Sequence, residues 1–202
     1  YLRTVQNSLN RNLRLATIED NRELVRVALL RAVQTYPDNV VFPELLVWHF
    51  NQIRDFASSV IHAKALDLRL QEQGVRLMEL GNTAQANGDL ETALECYRYV
   101  AAKGPDNPYF FTARNEVLQV RFEALTSQVP VNREALAELA EDYAASLRDL
   151  GVRSETAMMV KDRAYLLAFY LQRADEGVAA LEALLAEQDL NERVAAACKL
   201  TL

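Results

Sequence analysis

Between residues 74 and 107, apolar and small side chains recur with the spacing of two short helices set back to back. Leu77, Leu80, Gly81 and Ala84 form one stripe, which predicts a helix from Gly74 to Ala86. Asn87-Gly88-Asp89 breaks it. Gly88 is free to take a left-handed conformation, and Asp89 is placed to cap the helix that follows. Leu90, Ala93, Leu94, Tyr97 and Val100 make the second stripe, which ends at Lys103-Gly104-Pro105. Gly81, Ala84 and Ala93 are small enough for the two backbones to approach, and Tyr97 is large enough to fill the space beside the next hairpin.

The tripeptide Pro-Asp-Asn occurs at 37–39 and again at 105–107, 68 residues apart, twice the 34-residue period of a stacking helix-turn-helix repeat. Three frames follow: 6–39, 40–73 and 74–107. In the first, Leu9, Leu13, Ala16, Val25, Leu29, Ala32 and Pro37 stand where Leu77, Gly81, Ala84, Ala93, Tyr97, Val100 and Pro105 stand in the third. The middle frame supplies Pro43, Val47, Phe50, Ser59, Ala63, Leu66 and Gln71. Val47 there replaces a glycine, and Pro43 suits only a first turn, so a helix begins near Phe42.

Beyond residue 107 the spacing loosens while the helical rhythm continues. Helices are expected over Tyr109–Leu125 and Ala135–Leu150, the second stopped by Gly151, with a loop at 128–132 between them. A further hairpin is expected from Thr156 to about Glu187, turning near Arg173-Ala174-Asp175, and another helix begins at Asn191. These give two irregular hairpins, 108–152 and 153–190, and the start of a helix at 191–202. No segment reads as a strand. The fold class is all-α, a solenoid of about five stacked hairpins plus a terminal helix, in one domain over 1–202.

The string LGNTAQANGDLETALECYRYVAAKGPDN resembles the tetratricopeptide repeat along its full length. That resemblance implies a right-handed α-α superhelix whose first helices line the concave side, and a role in binding proteins. The strings TYPDNVVFPELL and KGPDNPYFFTAR are similar to large bacterial tetratricopeptide proteins that carry secretion signals, which implies the bacterial envelope or periplasm ahead of the cytoplasm.

On the first helix, Arg3, Asn7, Asn10 and Arg14 run away from the apolar stripe. Translating Asn7, Asn10 and Arg14 by 34 gives Val41, Glu44 and Trp48, then Val75, Met78 and Asn82, then Tyr109, Thr112 and Glu116. One turn further lie Thr17, Asn51, Gln85 and Gln119. Asn7, Asn10, Asn51, Asn82, Gln85 and Gln119 would hydrogen-bond an extended main chain. Trp48 and Tyr109 would anchor it, with Arg14 and Glu116 beside them. The competing reading of these residues is a merely solvated stripe with Trp48 packed in the core. Some tetratricopeptide domains clamp a chaperone's C-terminal carboxylate with lysines, arginines and asparagines. Only Asn82 matches that clamp here, and Tyr109 and Ala113 stand where it needs basic or amide groups.

Composition supports a binding segment and points to no reaction. The chain has 202 residues, half of them hydrophobic and a quarter charged, ample for a buried core. Net charge is −6, and no cluster of cations is present to hold phosphates, which argues against nucleic acid. No apolar run approaches the ~20 residues a membrane span needs. Cys96 and Cys198 fall in different hairpins and read as buried thiols. His49 and His62 lack a third ligand at metal spacing, so no metal or cofactor is expected. No glycine-rich phosphate loop or nucleophile elbow occurs.

The expected partner is therefore a protein or peptide. Two alternatives stay open. In one, the segment is architectural, self-associating through, or packing missing neighbours on, the apolar ends Leu2-Val5-Leu9 and Val194-Ala197-Leu200. In the other, it is an enzyme using Tyr143, Tyr165, Tyr170, Glu141, Asp162 or Arg163.

Overall fold

The computed structural model describes residues 19–186 and 192–199, and these form helices joined by turns, with no strand among them. The all-α expectation holds. The first helix of frame 6–39 and the apolar positions Leu2, Val5, Leu9 and Leu200 lie outside the described residues, as does the side chain of Val194. The chain divides into two compact units, Tyr1–Cys96 and Tyr97–Leu202.

The first unit contains α1 (Glu19–Thr35), α2 (Val41–Gln52), α3 (Phe56–Leu70) and α4 (Val75–Ala86), and the division falls within α5 (Leu90–Ala101). Helix α1 packs on α2, α2 on α3 and α3 on α4. Leu29 of α1 meets Leu45, Leu46 and Phe50 of α2 in one buried cluster. Val47 does not hold α2 and α3 apart, because the opposing position is the small, fully buried Ser59. Its hydroxyl donates to the Val47 carbonyl at 3.3 Å, so a hydrogen bond forms where bulk would otherwise stand.

The repeated Pro-Asp-Asn tripeptide makes the same turn twice. Asn39 N–H donates to Tyr36 O and Asn107 N–H to Gly104 O, both at 3.0 Å. Each asparagine side chain then accepts the N–H two residues on, from Val41 at 3.0 Å and from Tyr109 at 2.8 Å. This Asx turn satisfies an amide that the start of the next helix would leave orphaned. The middle frame has no such tripeptide. There the buried Asp67 carboxylate accepts from Gly74 N–H at 2.5 Å, and Gln71, Gln73 and Gly74 all adopt positive φ. Between α4 and α5, Gly88 sits at φ 82° and the Asp89 carboxylate accepts from Thr92 N–H at 3.0 Å, as the sequence pattern requires.

The second unit contains α6 (Phe110–Thr126), α7 (Arg133–Leu150), a short 3-10 turn (Ser154–Thr156), α8 (Ala157–Phe169), α9 (Ala174–Leu185) and α10 (Glu192–Lys199). Successive helices pack on one another, and alternate ones also touch, α6 on α8 and α8 on α10. Leu118, Leu136, Leu139, Tyr143, Met159 and Leu166 share one core, and Val160, Ala164, Leu181, Leu184 and Cys198 a second.

Two boundaries differ from expectation. Helix α7 begins at Arg133, because Asn132 accepts from Ala135 N–H at 3.1 Å and caps the helix two residues before its first apolar position. The hairpin turn falls at 170–173 and needs no glycine, since Gln172 takes φ 58°.

Helices α8 and α9 cross closely at Gly177, where an added Cβ would stand 2.8 Å from the Ala164 carbonyl oxygen. An alanine within a helix normally gains about 1 kcal/mol over glycine. Here the rigid backbone contact reverses the sign. Gly177→Ala is expected to destabilise the protein by about 1–3 kcal/mol, the range for overpacking, read as a lower urea midpoint; a higher midpoint would contradict the close crossing.

Candidate functional site

Two polar surfaces lie on first helices of the hairpins, one in each unit. In the first unit, α2 and α4 flank an open groove of about 430 Å³. Glu44, Val47, Trp48 and Asn51 line it from α2, and Arg76, Glu79, Leu80 and Thr83 from α4. The α2 residues fall on one face through their spacing of three and four. Arg76 ties the floor together: its guanidinium donates to Glu72 at 2.5 and 2.8 Å and reaches Glu44 across the groove at 3.5 Å. The Glu72 hydrogen bonds hold the guanidinium above its ordinary pKa. Trp48 is half-buried, with part of its ring open to the groove. Asn51 is half-buried too, but its side-chain carbonyl oxygen is sealed from solvent and has no hydrogen-bond partner.

In the second unit, α6 and α8 run side by side with residue n of α6 opposite residue n+43 of α8. Gln119 Nε2 donates to Asp162 Oδ2 at 2.7 Å, and one turn on the Phe122 and Tyr165 rings meet edge to face, 6.1 Å between centroids. Tyr170 joins Phe122 at 5.5 Å and Phe169 lies 4.5 Å from Tyr165, making an aromatic strip whose outer members, Tyr165 and Phe169, are exposed. On the other side of Gln119, burial and the nearby Asp162 charge raise the Glu116 carboxyl above the usual carboxylate range.

Of the sequence-predicted residues, Trp48 and Asn51 come together in the α2–α4 groove, and Glu116 and Gln119 on the α6–α8 seam. Asn82 and Gln85 are on α4 but do not line the groove. Tyr109 precedes the first turn of α6 and is half-buried at the Asx turn, where its amide N–H is bound by Asn107. Asn7, Asn10 and Arg14 lie outside the described residues. The 34-residue translation places Met78 on the lining, yet Met78 is buried, and α4 presents Arg76, Glu79 and Thr83 instead. The aromatic strip was not predicted as a site, although Phe122, Tyr165 and Phe169 show its helical spacing in the sequence.

Both histidine rings pack against Phe50. His62 stacks on Phe50, with centroids 5.7 Å apart and planes 6° apart, and Phe50 meets His49 edge-on. No group of three or more acidic, histidine or cysteine side chains among the described residues could hold a metal. Cys96 and Cys198 are free and buried, and burial pushes the Cys96 thiol up to about 12. No described helix is long and apolar enough to cross a membrane. No family model matches the chain, and neither a curated protein nor a solved structure matches it.

His49 carries a consequence for pH. Its ring is fully buried, both nitrogens lack hydrogen-bond partners, and burial together with Arg22 and Arg26 lowers its pKa below the ordinary 6.5. Burial lowers His62 as well. Below 6.5 the unfolded chain binds protons that the folded one refuses, so stability is full above that value and is lost as pH falls through the lowered one. Melting temperature is expected to drop between about pH 7.5 and about pH 5, and His49→Phe to remove most of that drop. An unchanged pH profile in H49F would show that other groups carry it.

Proposed function

We propose that this chain is a tetratricopeptide-like binding module that holds a polypeptide segment in the α2–α4 groove and catalyses no reaction. The observation that carries the reading is Trp48, half open on a groove whose facing wall presents the exposed Glu79 and Thr83. A large, half-open ring of that kind dominates binding energy at protein interfaces. An extended peptide presents main-chain N–H groups at regular intervals to acceptors such as the Glu79 carboxylate. Glu44 and Glu79, on either side of Arg76, fix the polarity of the groove and set its register.

Bacterial origin and a place in the cell envelope belong to the same proposal and rest on the resemblance of the two longer strings. An architectural role would ask nothing of a tryptophan left half open on a polar groove. For that reason the binding reading is preferred.

The test is selection from a phage-displayed peptide library, followed by affinity measurement on two variants. Trp48→Ala is expected to weaken the selected peptides by about 10- to 100-fold, the range of a hot-spot residue. Glu79→Ala, on the facing wall, is expected to weaken them while leaving the melting temperature nearly unchanged, because substitution of an exposed side chain seldom affects stability. Peptides bound equally well by both variants would refute the groove as the site.

A further inference from the structure

The α2–α4 groove carries more negative than positive charge. Three carboxylates, Glu72, Glu44 and Glu79, act on the single guanidinium of Arg76, and the Glu72 hydrogen bonds at 2.5 and 2.8 Å do most to hold it. Glu44 adds a longer contact at 3.5 Å. Arg76 is thus engaged by two of the three. Glu79 is left exposed on the α4 wall, its carboxylate without a hydrogen bond or ion pair among the described residues.

Trp48 lines the same space. Its ring meets no other aromatic ring and no cation among the described residues, and its indole N–H makes no hydrogen bond there. The groove starts at the Arg76–Glu44 contact and runs along both helices to Asn51 and Thr83, so α2 and α4 run in the same direction beside it. One turn past that contact stand Trp48 on α2, four residues after Glu44, and Glu79 on α4, three residues after Arg76. At 1.5 Å of rise per residue the two are at nearly the same level, on opposite walls.

The negative face of an indole ring attracts a cation, and a free carboxylate accepts the N–H groups of one. A guanidinium meets both demands at once: it is planar, so it stacks on the ring while its edge donates to the carboxylate. An ammonium is a compact, strongly hydrated point charge and satisfies the pair less well. An acidic side chain is repelled by the excess of carboxylates. A metal ion is not the occupant that these groups suit, since no set of three acidic, histidine or cysteine side chains among the described residues could hold one.

We infer that the α2–α4 groove selects a peptide carrying an arginine, its guanidinium lying against the Trp48 ring and paired with the Glu79 carboxylate. This rests on the proposed function and adds to it the side chain that the partner brings.

Trp48 is the only tryptophan in the chain, so intrinsic fluorescence reports directly on the ring. The test titrates the full chain with acetyl-Ala-Ala-Arg-Ala-Ala-amide and with the same peptide carrying citrulline, which keeps the shape of arginine and loses its charge. A saturable fluorescence change is expected with the arginine peptide. The citrulline peptide should bind about 10-fold more weakly, the combined size of a cation–ring contact and an exposed ion pair. Glu79→Gln should remove most of the arginine advantage while leaving the citrulline peptide's affinity and the melting temperature nearly unchanged. The lysine counterpart should bind more weakly than the arginine peptide. Equal binding of the arginine and citrulline peptides, an arginine advantage that persists in E79Q, or tighter binding of the lysine peptide would overturn the inference. If library-selected peptides still depend on Trp48 in that event, the groove reading stands and only the arginine preference falls. If no selected peptide depends on Trp48, the groove fails and the inference with it.

Discussion

Apolar side chains in this chain are buried between helices that are neighbours in sequence, α1 to α4 in the first unit and α6 to α10 in the second, where alternate helices also touch. That constraint of neighbour-on-neighbour burial organises the rest. It puts small residues where backbones approach, Ser59 against Val47 and Gly177 against Ala164, and large ones such as Tyr97 and Tyr143 where the stripes converge. It also frees one face of each first helix from packing, which leaves that face available for polar chemistry.

Most of this was legible because the deciding interactions are local. An Asx turn needs only an asparagine two residues before the amide it holds, so the repeated Pro-Asp-Asn already announced two equivalent hairpin entries. The Asp89 cap and the left-handed Gly88 were legible for the same reason. The turn at 170–173 was displaced because Gln172 occupies a conformation usually taken by glycine or asparagine, closed by backbone hydrogen bonds from Leu171 to Leu166 and from Arg173 to Leu167. The start of α7 was placed late because apolar periodicity was weighed above the Asn132 cap.

The sites were less legible, since a face of one helix says nothing of the rotation of its neighbour. Translation by 34 residues assumes that each hairpin turns its first helix by the same phase. Helix α4 departs from it: Met78 points inward, while Arg76 spans to Glu44 over a separation of 32 residues. In the second unit the register between first helices is 43. The increase reflects longer elements, 17 and 18 residues in α6 and α7 against 12 and 15 in α2 and α3. Glu116 and Gln119 could be placed on one face because they are three residues apart on one helix. Their partners on α8 could not be, because that longer register is set by packing alone.

Three kinds of unmatched buried polar group occur here, and they do not mean the same thing. The two nitrogens of His49 are sealed between α1 and α2 away from either polar surface, in a ring that stays neutral at ordinary pH. A neutral ring without partners is tolerable in apolar surroundings, and its effect is confined to linkage with protons. The Asn51 oxygen is sealed on a residue that lines the α2–α4 groove, and the Asn115 and Tyr143 oxygens are sealed within the second unit, on α6 and α7. In those two places an apolar residue of similar size would give a more stable free protein, because an unmatched acceptor costs about 1–3 kcal/mol whereas a buried methyl costs nothing comparable. These sealed oxygens are thus a cost of the fold itself, and what the α2–α4 groove leaves open are the half-buried Trp48 and the exposed Glu79 and Thr83.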